Sequence, residues 1–274
     1  MLPMVVAGAV AAVIDCTRQS LMAFMLCLMQ LLGGDCLASD SKREAEFADS
    51  INKTLAIGEE VWLEAEGKKF LGLYTPTEKI DSKGTAIIVH DIGGHPDQKP
   101  LIYGLRVALP EHNWATLALQ MPLREAGAEQ DDYYALFAEA AARLQVSIGY
   151  AKDKGAENIV VVGYGLGGLM SVYAVSEQSL AIKALAIISL PVPKTDNKTA
   201  KTLDFIQKIT IPMLDIYGAL DLPEVTQSAR DRRVAAKQNA NYRQIKINDQ
   251  DHIYLHDEGL LVKRIYSWLG VVVE

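Results

Sequence analysis

A chain of 274 residues, half of them apolar, holds enough material for one large α/β domain with a single core. Its net charge of -7 excludes the Lys- and Arg-rich surface that a phosphate backbone demands, so no nucleic-acid partner is expected.

The first 38 residues read apart from the rest. Leu2 to Ile14 and Leu21 to Leu32 are two apolar runs separated by a polar break that contains Arg18. Each is shorter than the roughly 20 residues that a spanning helix takes. The second has the length of a signal-peptide apolar region, a basic residue before it and small residues after it, with a cut expected after Ala38. Residues 1–38 are therefore read as a signal peptide or a membrane-anchoring leader. Either way the expected location is periplasmic or otherwise exported, with any membrane contact made through the leader alone. Cys16, Cys27 and Cys36 all fall inside it, so residues 39–274 contain no thiol for a nucleophile, a disulfide or a thiolate metal site.

Residues 39–60 are charged; Ser39 to Asn52 reads as a helix or a solvated arm, and a linker or N-terminal arm is the favoured reading of the segment, leaving 61–274 as the folded domain. Val61 to Ala65 and Lys69 to Tyr74 alternate as two antiparallel strands turning at Glu66 and Gly67. Strands and helices then alternate. Thr85 to His90, Ala115 to Leu119, Ile159 to Val162, Ala184 to Leu190, Pro212 to Tyr217 and Tyr242 to Ile247 read as strands. Leu101 to Leu109, Tyr133 to Lys154, Ala200 to Lys208, Glu224 to Gln238 and Gly259 to Leu269 read as helices. An opening hairpin followed by βα units predicts a mostly parallel sheet with helices on both faces and no large cap domain.

In such a sheet ligands bind beyond the carboxyl ends of the strands, so the residues that follow each strand carry the functional information. The central strand runs into Gly163 to Gly168, GYGLGG, and then directly into a helix. Two turns fit this outline. GxGxxG is the dinucleotide fingerprint, but the next strand ends in Ser189, Leu190 and Pro191 without the carboxylate that would hold a ribose. GxSxG is the nucleophile elbow, and here its serine slot holds Gly165. The loop His90 to Asp97 is glycine-bearing, and Gly93 together with the N–H of Leu166 are candidate oxyanion donors. Asp221 follows the strand ending at Tyr217, where a triad acid would sit. His252 follows the last strand, where the triad base would sit.

The order elbow, acid, histidine resembles the α/β-hydrolase superfamily from about Val61 onward. The stretch HDIGGHPDQKPLIYGLRVALPEHNWATLALQMP and the GYGLGG turn are similar to an uncharacterised family of exported proteobacterial α/β-hydrolase-like proteins with a degenerate elbow. The resemblance implies the fold and a periplasmic location, and it supplies no substrate.

Glycine has no atom to attack with. Ser171 lies beyond the first helical turn and Ser189 ends a neighbouring strand, so neither replaces the hydroxyl. Three readings follow: a noncatalytic protein that binds an unknown ligand or protein partner; a His252–Asp221 dyad that activates water or removes a proton without a covalent intermediate; or a metal site on His90, Asp91 and His95, or on His252 and His256. No metal-binding motif is present, and the expectation is no metal and no cofactor. Asp221 as a helix cap near Pro223, His252 as a surface loop residue and His90 as a structural hydrogen-bonder are the competing assignments.

Overall fold

The computed structural model describes residues 39–255 and 258–273. The leader, its three cysteines and His256 lie outside the described residues. Residues 39–274 form one compact unit. Among the described residues no helix is long and apolar enough to cross a membrane.

The chain forms an eight-stranded sheet in the order β1-β2-β4-β3-β5-β6-β7-β8. The strands are β1 (Glu59–Ala65), β2 (Lys68–Thr75), β3 (Gly84–Val89), β4 (Trp114–Leu119), β5 (Ile159–Tyr164), β6 (Ala184–Ile188), β7 (Met213–Gly218) and β8 (Tyr242–Ile247). β1 pairs antiparallel with β2, and β2 antiparallel with β4. From β4 to β8 every pairing is parallel. The β-branched run of β5 is buried at every position because the sheet is covered on both sides, so no polar alternation is needed. Ile87 and Val89 of β3 face one apolar cluster and Ala86 and Ile88 the other, as the two-residue period of a strand requires.

Helices α1 (Ser41–Thr54), α2 (Leu101–Ala108), α3 (Phe137–Asp153), α4 (Gly165–Glu177), α5 (Thr202–Lys208), α6 (Pro223–Thr226), α7 (Ala229–Ala235) and α8 (Glu258–Val272) surround the sheet. Two sequence expectations change. The single helix expected over 224–238 is broken into α6 and α7. The segment read as a linker over 39–60 contains α1, a 14-residue helix capped by Asp40, whose side chain accepts from the N–H of Arg43.

Helix α1 is held by a charge network that its composition alone does not disclose. Glu44 is buried and accepts from both terminal nitrogens of Arg143, at 2.9 and 3.1 Å, and from the N–H of Leu123 at 3.1 Å. Arg143 also reaches Glu139, which Lys68 pairs from the other side. Ala48 and Ile51 complete the docked face. Glu44→Ala removes two of the guanidinium's charge-assisted bonds and leaves the N–H of Leu123 without its acceptor, while Glu139 still pairs Arg143, so unfolding free energy is expected to fall by about 2–3 kcal/mol. Urea unfolding read by circular dichroism checks this; a loss no larger than that of an exposed substitution such as Glu46→Ala overturns it.

Candidate functional site

β5 passes into α4 without a loop, and Gly165, the first residue of the helix, has a φ of +53°. That left-handed backbone is the turn of a nucleophile elbow, in which residue 165 stands above the carboxyl edge of the sheet. The space where a side chain at 165 would stand is filled. A Cβ built there would lie 2.0 Å from Oδ1 of Asp91.

Asp91 follows β3, which lies beside β5, with Val89 opposite Gly163 in the register. This adjacency brings its carboxylate across to the elbow. Oδ1 accepts the N–H of Leu166 at 2.6 Å, and Oδ2 lies 2.9 Å from Nε2 of His252. The N–H of Leu166 lies in the first turn of α4, where the helix end favours negative charge. The same arrangement disposes of the dinucleotide alternative, because the place a pyrophosphate would take at this helix end is occupied by Asp91.

His252 lies between two carboxylates. Its Nδ1 is 2.7 Å from Oδ1 of Asp221, and its Nε2 faces Asp91. Burial works against a charge on the ring, but the hydrogen bonds and charges of Asp221 and Asp91 outweigh it and push the imidazole up to about 10. At neutral pH the ring is therefore an imidazolium that donates from both nitrogens. Asp221 is held below the usual carboxylate range: burial opposes this, and the hydrogen bonds from His252 and Ser189 overcome it. Its Oδ2 accepts from Ser189, whose hydroxyl also meets Tyr254 at 2.9 Å, and its Oδ1 accepts the N–H of Leu222 at 2.8 Å. Tyr164 packs against the imidazole and donates its hydroxyl to the carbonyl of His252 at 2.7 Å, which fixes the β8 loop over the elbow.

The structure thus brings together Gly165, Leu166, Asp221 and His252, and assigns neither a capping role to Asp221 nor a loose surface position to His252. Gly93 and Leu166 line the same hollow beside Asp91, which measures about 10 Å³, room for one water. The N–H of Leu166 is already engaged, and the carbonyl of Gly93 accepts from Arg43 at 3.2 Å. Ser171 is buried and bonds to the carbonyl of Gly167, away from the imidazole. The residue that the sequence reading did not place here is Asp91. Its one visible signal is an acidic residue directly after the strand that neighbours the elbow strand.

Of the candidate metal ligands, His90, Asp91, His95 and His252 are described, and they serve other contacts. His90 is fully buried, and burial pushes it down to about 4, leaving the ring neutral. Its Nδ1–H donates to the carbonyl of Asp91 at 2.7 Å and its Nε2 accepts the N–H of Met121 at 3.0 Å. The ring thereby ties the Asp91 loop to the segment that follows β4. His95 packs on Phe47 and accepts from the N–H of Asp97. Among the described residues no group of three or more His, Cys, Asp or Glu side chains is arranged to hold a metal ion.

A larger space lies beside the elbow instead of over it. A cavity of about 770 Å³ opens between the loops after β6 and β7, lined by Val192, Pro193, Leu222, Glu224 and Gln227 among others. Burial and the nearby charge of Asp91 push the Glu224 carboxyl up.

Solved structures with the same architecture include Est1E from Butyrivibrio proteoclasticus, at 19% identity and a TM-score of 0.61 over 78% of this chain and 98% of that one. The esterase Pf2001 of Pyrococcus furiosus matches at 16% identity and a TM-score of 0.64, covering 79% of this chain and 93% of its own. The esterase domain of a Rhodothermus marinus protein matches at 15% and 0.61, covering 79% and 99%. At these identities the likeness shows the fold, which is that of the α/β-hydrolases. No curated protein sequence matches. The family model described as "Protein of unknown function (DUF3530)" matches residues 38–141 and 126–270, and the chain belongs to that family.

Proposed function

We propose that this chain is an exported, noncatalytic protein of α/β-hydrolase fold that works by binding a ligand or protein partner. The observation that carries the proposal is the Asp91 carboxylate, which fills the space above Gly165, takes the N–H of Leu166 and ties Nε2 of His252. A serine hydrolase needs three things at this spot: a hydroxyl, a neutral imidazole nitrogen to receive its proton, and free N–H donors for the oxyanion. The first is absent from the sequence, and one side chain ties both the imidazole nitrogen and one of the two candidate donors, the N–H of Leu166. The same contact weighs against a His252–Asp221 dyad acting on water, since an imidazolium held at both nitrogens accepts no proton. The cavity beside the elbow has the size of a small-molecule site and gives binding a place to occur. Export is supported by the apolar runs before residue 38 and by a domain sequence free of cysteine.

Incubation with p-nitrophenyl acetate and butyrate at pH 7–9 tests the proposal. The unmutated protein is expected to release p-nitrophenol at the rate of buffer alone. Turnover that disappears with His252→Ala overturns it.

A further inference from the structure

The cavity of about 770 Å³ beside the elbow is framed by bonds that tie both of its walls to the sheet. The N–H of Val192 donates to the carbonyl of Glu224 at 3.3 Å, which joins the loop after β6 to α6. The Thr202 hydroxyl holds the same loop through the carbonyl of Pro191 at 3.0 Å. From α7 the fully buried Arg232 pairs with Asp215 of β7 at 2.8 and 3.2 Å and donates to the carbonyl of Val225 at 2.7 Å. A site fixed in this way loses less free energy to ordering when a ligand enters.

The lining combines two kinds of chemistry. Val192, Pro193, Leu222 and Pro223 offer apolar surface, and Glu224 stands among them as a half-buried carboxyl. No hydrogen bond or ion pair engages that carboxyl among the described residues. The charges that reach it are those of Asp91, Asp131 and Asp221 against the single imidazolium of His252, so the field there is negative, and burial and Asp91 push the carboxyl up. Asp231 adds a second acid on the exposed side, and Lys194, the one cation of the lining, is exposed to water. The described lining has no aromatic ring of the kind that cages a quaternary ammonium. An unpaired carboxyl between apolar walls is best satisfied by a group that brings both positive charge and N–H donors.

We infer that this cavity binds a primary ammonium ion carried on an aliphatic body, with the ammonium on Glu224 and the hydrocarbon along Val192, Pro193 and Leu222. The inference names the ligand class of the binding cavity proposed above and rests on that reading. A bound cation reverses the upward push on the carboxyl and holds it ionised. An alcohol of the same length leaves the charge of the site unanswered, and a carboxylate adds to it. A trimethylated ammonium brings the charge without the N–H donors that Glu224 accepts.

Calorimetric titration of the full chain at neutral pH with octylammonium, 1-octanol, octanoate and octyltrimethylammonium tests this. Octylammonium is expected to bind about tenfold more tightly than each of the other three, the scale of one charge-assisted hydrogen bond. Glu224→Gln, which keeps the shape and removes the charge, is expected to erase that preference. Glu46→Gln, which removes the same charge from the exposed face of α1, is expected to keep it. Binding of any of the three as tight as that of octylammonium overturns the inference, as does a preference that survives Glu224→Gln or an absence of binding by all four. Ester turnover by the unmutated protein would sink the noncatalytic reading while leaving the titration to stand by itself, whereas a failed titration without turnover removes the ligand class alone.

Discussion

Gly165→Ser combined with Asp91→Gly is expected to create ester hydrolysis, whereas Gly165→Ser alone creates none. In the single variant the new Cβ meets Asp91 Oδ1 at 2.0 Å, at a backbone φ of +53° that a side chain occupies only under strain. The carboxylate must then leave Leu166 and His252 or the helix must shift, at a cost of about 2–4 kcal/mol in stability. The double variant removes the obstruction. It frees the N–H of Leu166 for an oxyanion and Nε2 of His252 for a hydroxyl, and it leaves Asp221 at 2.7 Å to orient the ring. With one carboxylate gone, the imidazole falls back toward its ordinary range and becomes a base at pH 8. A gain of about 10³-fold over the unmutated protein is expected on p-nitrophenyl acetate, the scale of an incompletely optimised triad. Labelling of residue 165 by a fluorophosphonate provides the independent readout. A folded double variant that neither turns over nor labels would mean that the elbow, the hole and the imidazole are not in register.

The second large effect concerns pH. His252 carries a folded-state value of about 10 against an ordinary 6.5, because two carboxylates hold its charge in a site where the side chain is only 20% exposed. A value raised on folding contributes stability that is whole below about pH 6.5 and is lost as pH climbs through 10. By linkage the amount at stake is of order 3–5 kcal/mol. Urea unfolding at pH 6.5 and pH 10.5 is therefore expected to separate by that much more in the unmutated protein than in His252→Gln, which cannot titrate. The subtraction removes the lysines and tyrosines that also titrate in this window. Identical pH dependence in the two proteins would show that the imidazole is not charged in the folded state. Asp91→Asn is expected to keep the shape of the cluster and to move the midpoint of the His252 titration, followed by NMR, downward.

The two effects have one origin, and it bears on how this site is read. A glycine in the nucleophile slot by itself leaves a gap that water or a substrate hydroxyl would fill. Here that space is taken by the carboxylate of Asp91, from another loop, which also reaches Nε2 of His252. The filled space above Gly165 and the tied imidazole are thus two halves of one arrangement, in which Leu166 of α4 donates to a carboxylate as it would to an oxyanion. Ser189, Tyr254 and Tyr164 then hold the cluster from beneath.

By itself the sequence determined the order of strands and helices, the elbow at Gly165, and the positions of Asp221 and His252 after β7 and β8. These follow from local periodicity and from where a strand stops, and both are properties of a few consecutive residues. It left open the fate of residues 39–60, because the apolar face of α1 is short and its main anchor, Glu44 on Arg143, joins residues 99 apart. Only the tertiary structure decided that Asp91 takes the vacant place. That contact joins residues 91, 165 and 252, and it exists because β3 and β5 are neighbours in the sheet and β8 ends at the same edge. No window of sequence contains it, since the distance between a loop and the strand beside it is set by the packing of the whole sheet and leaves no periodic trace in the chain.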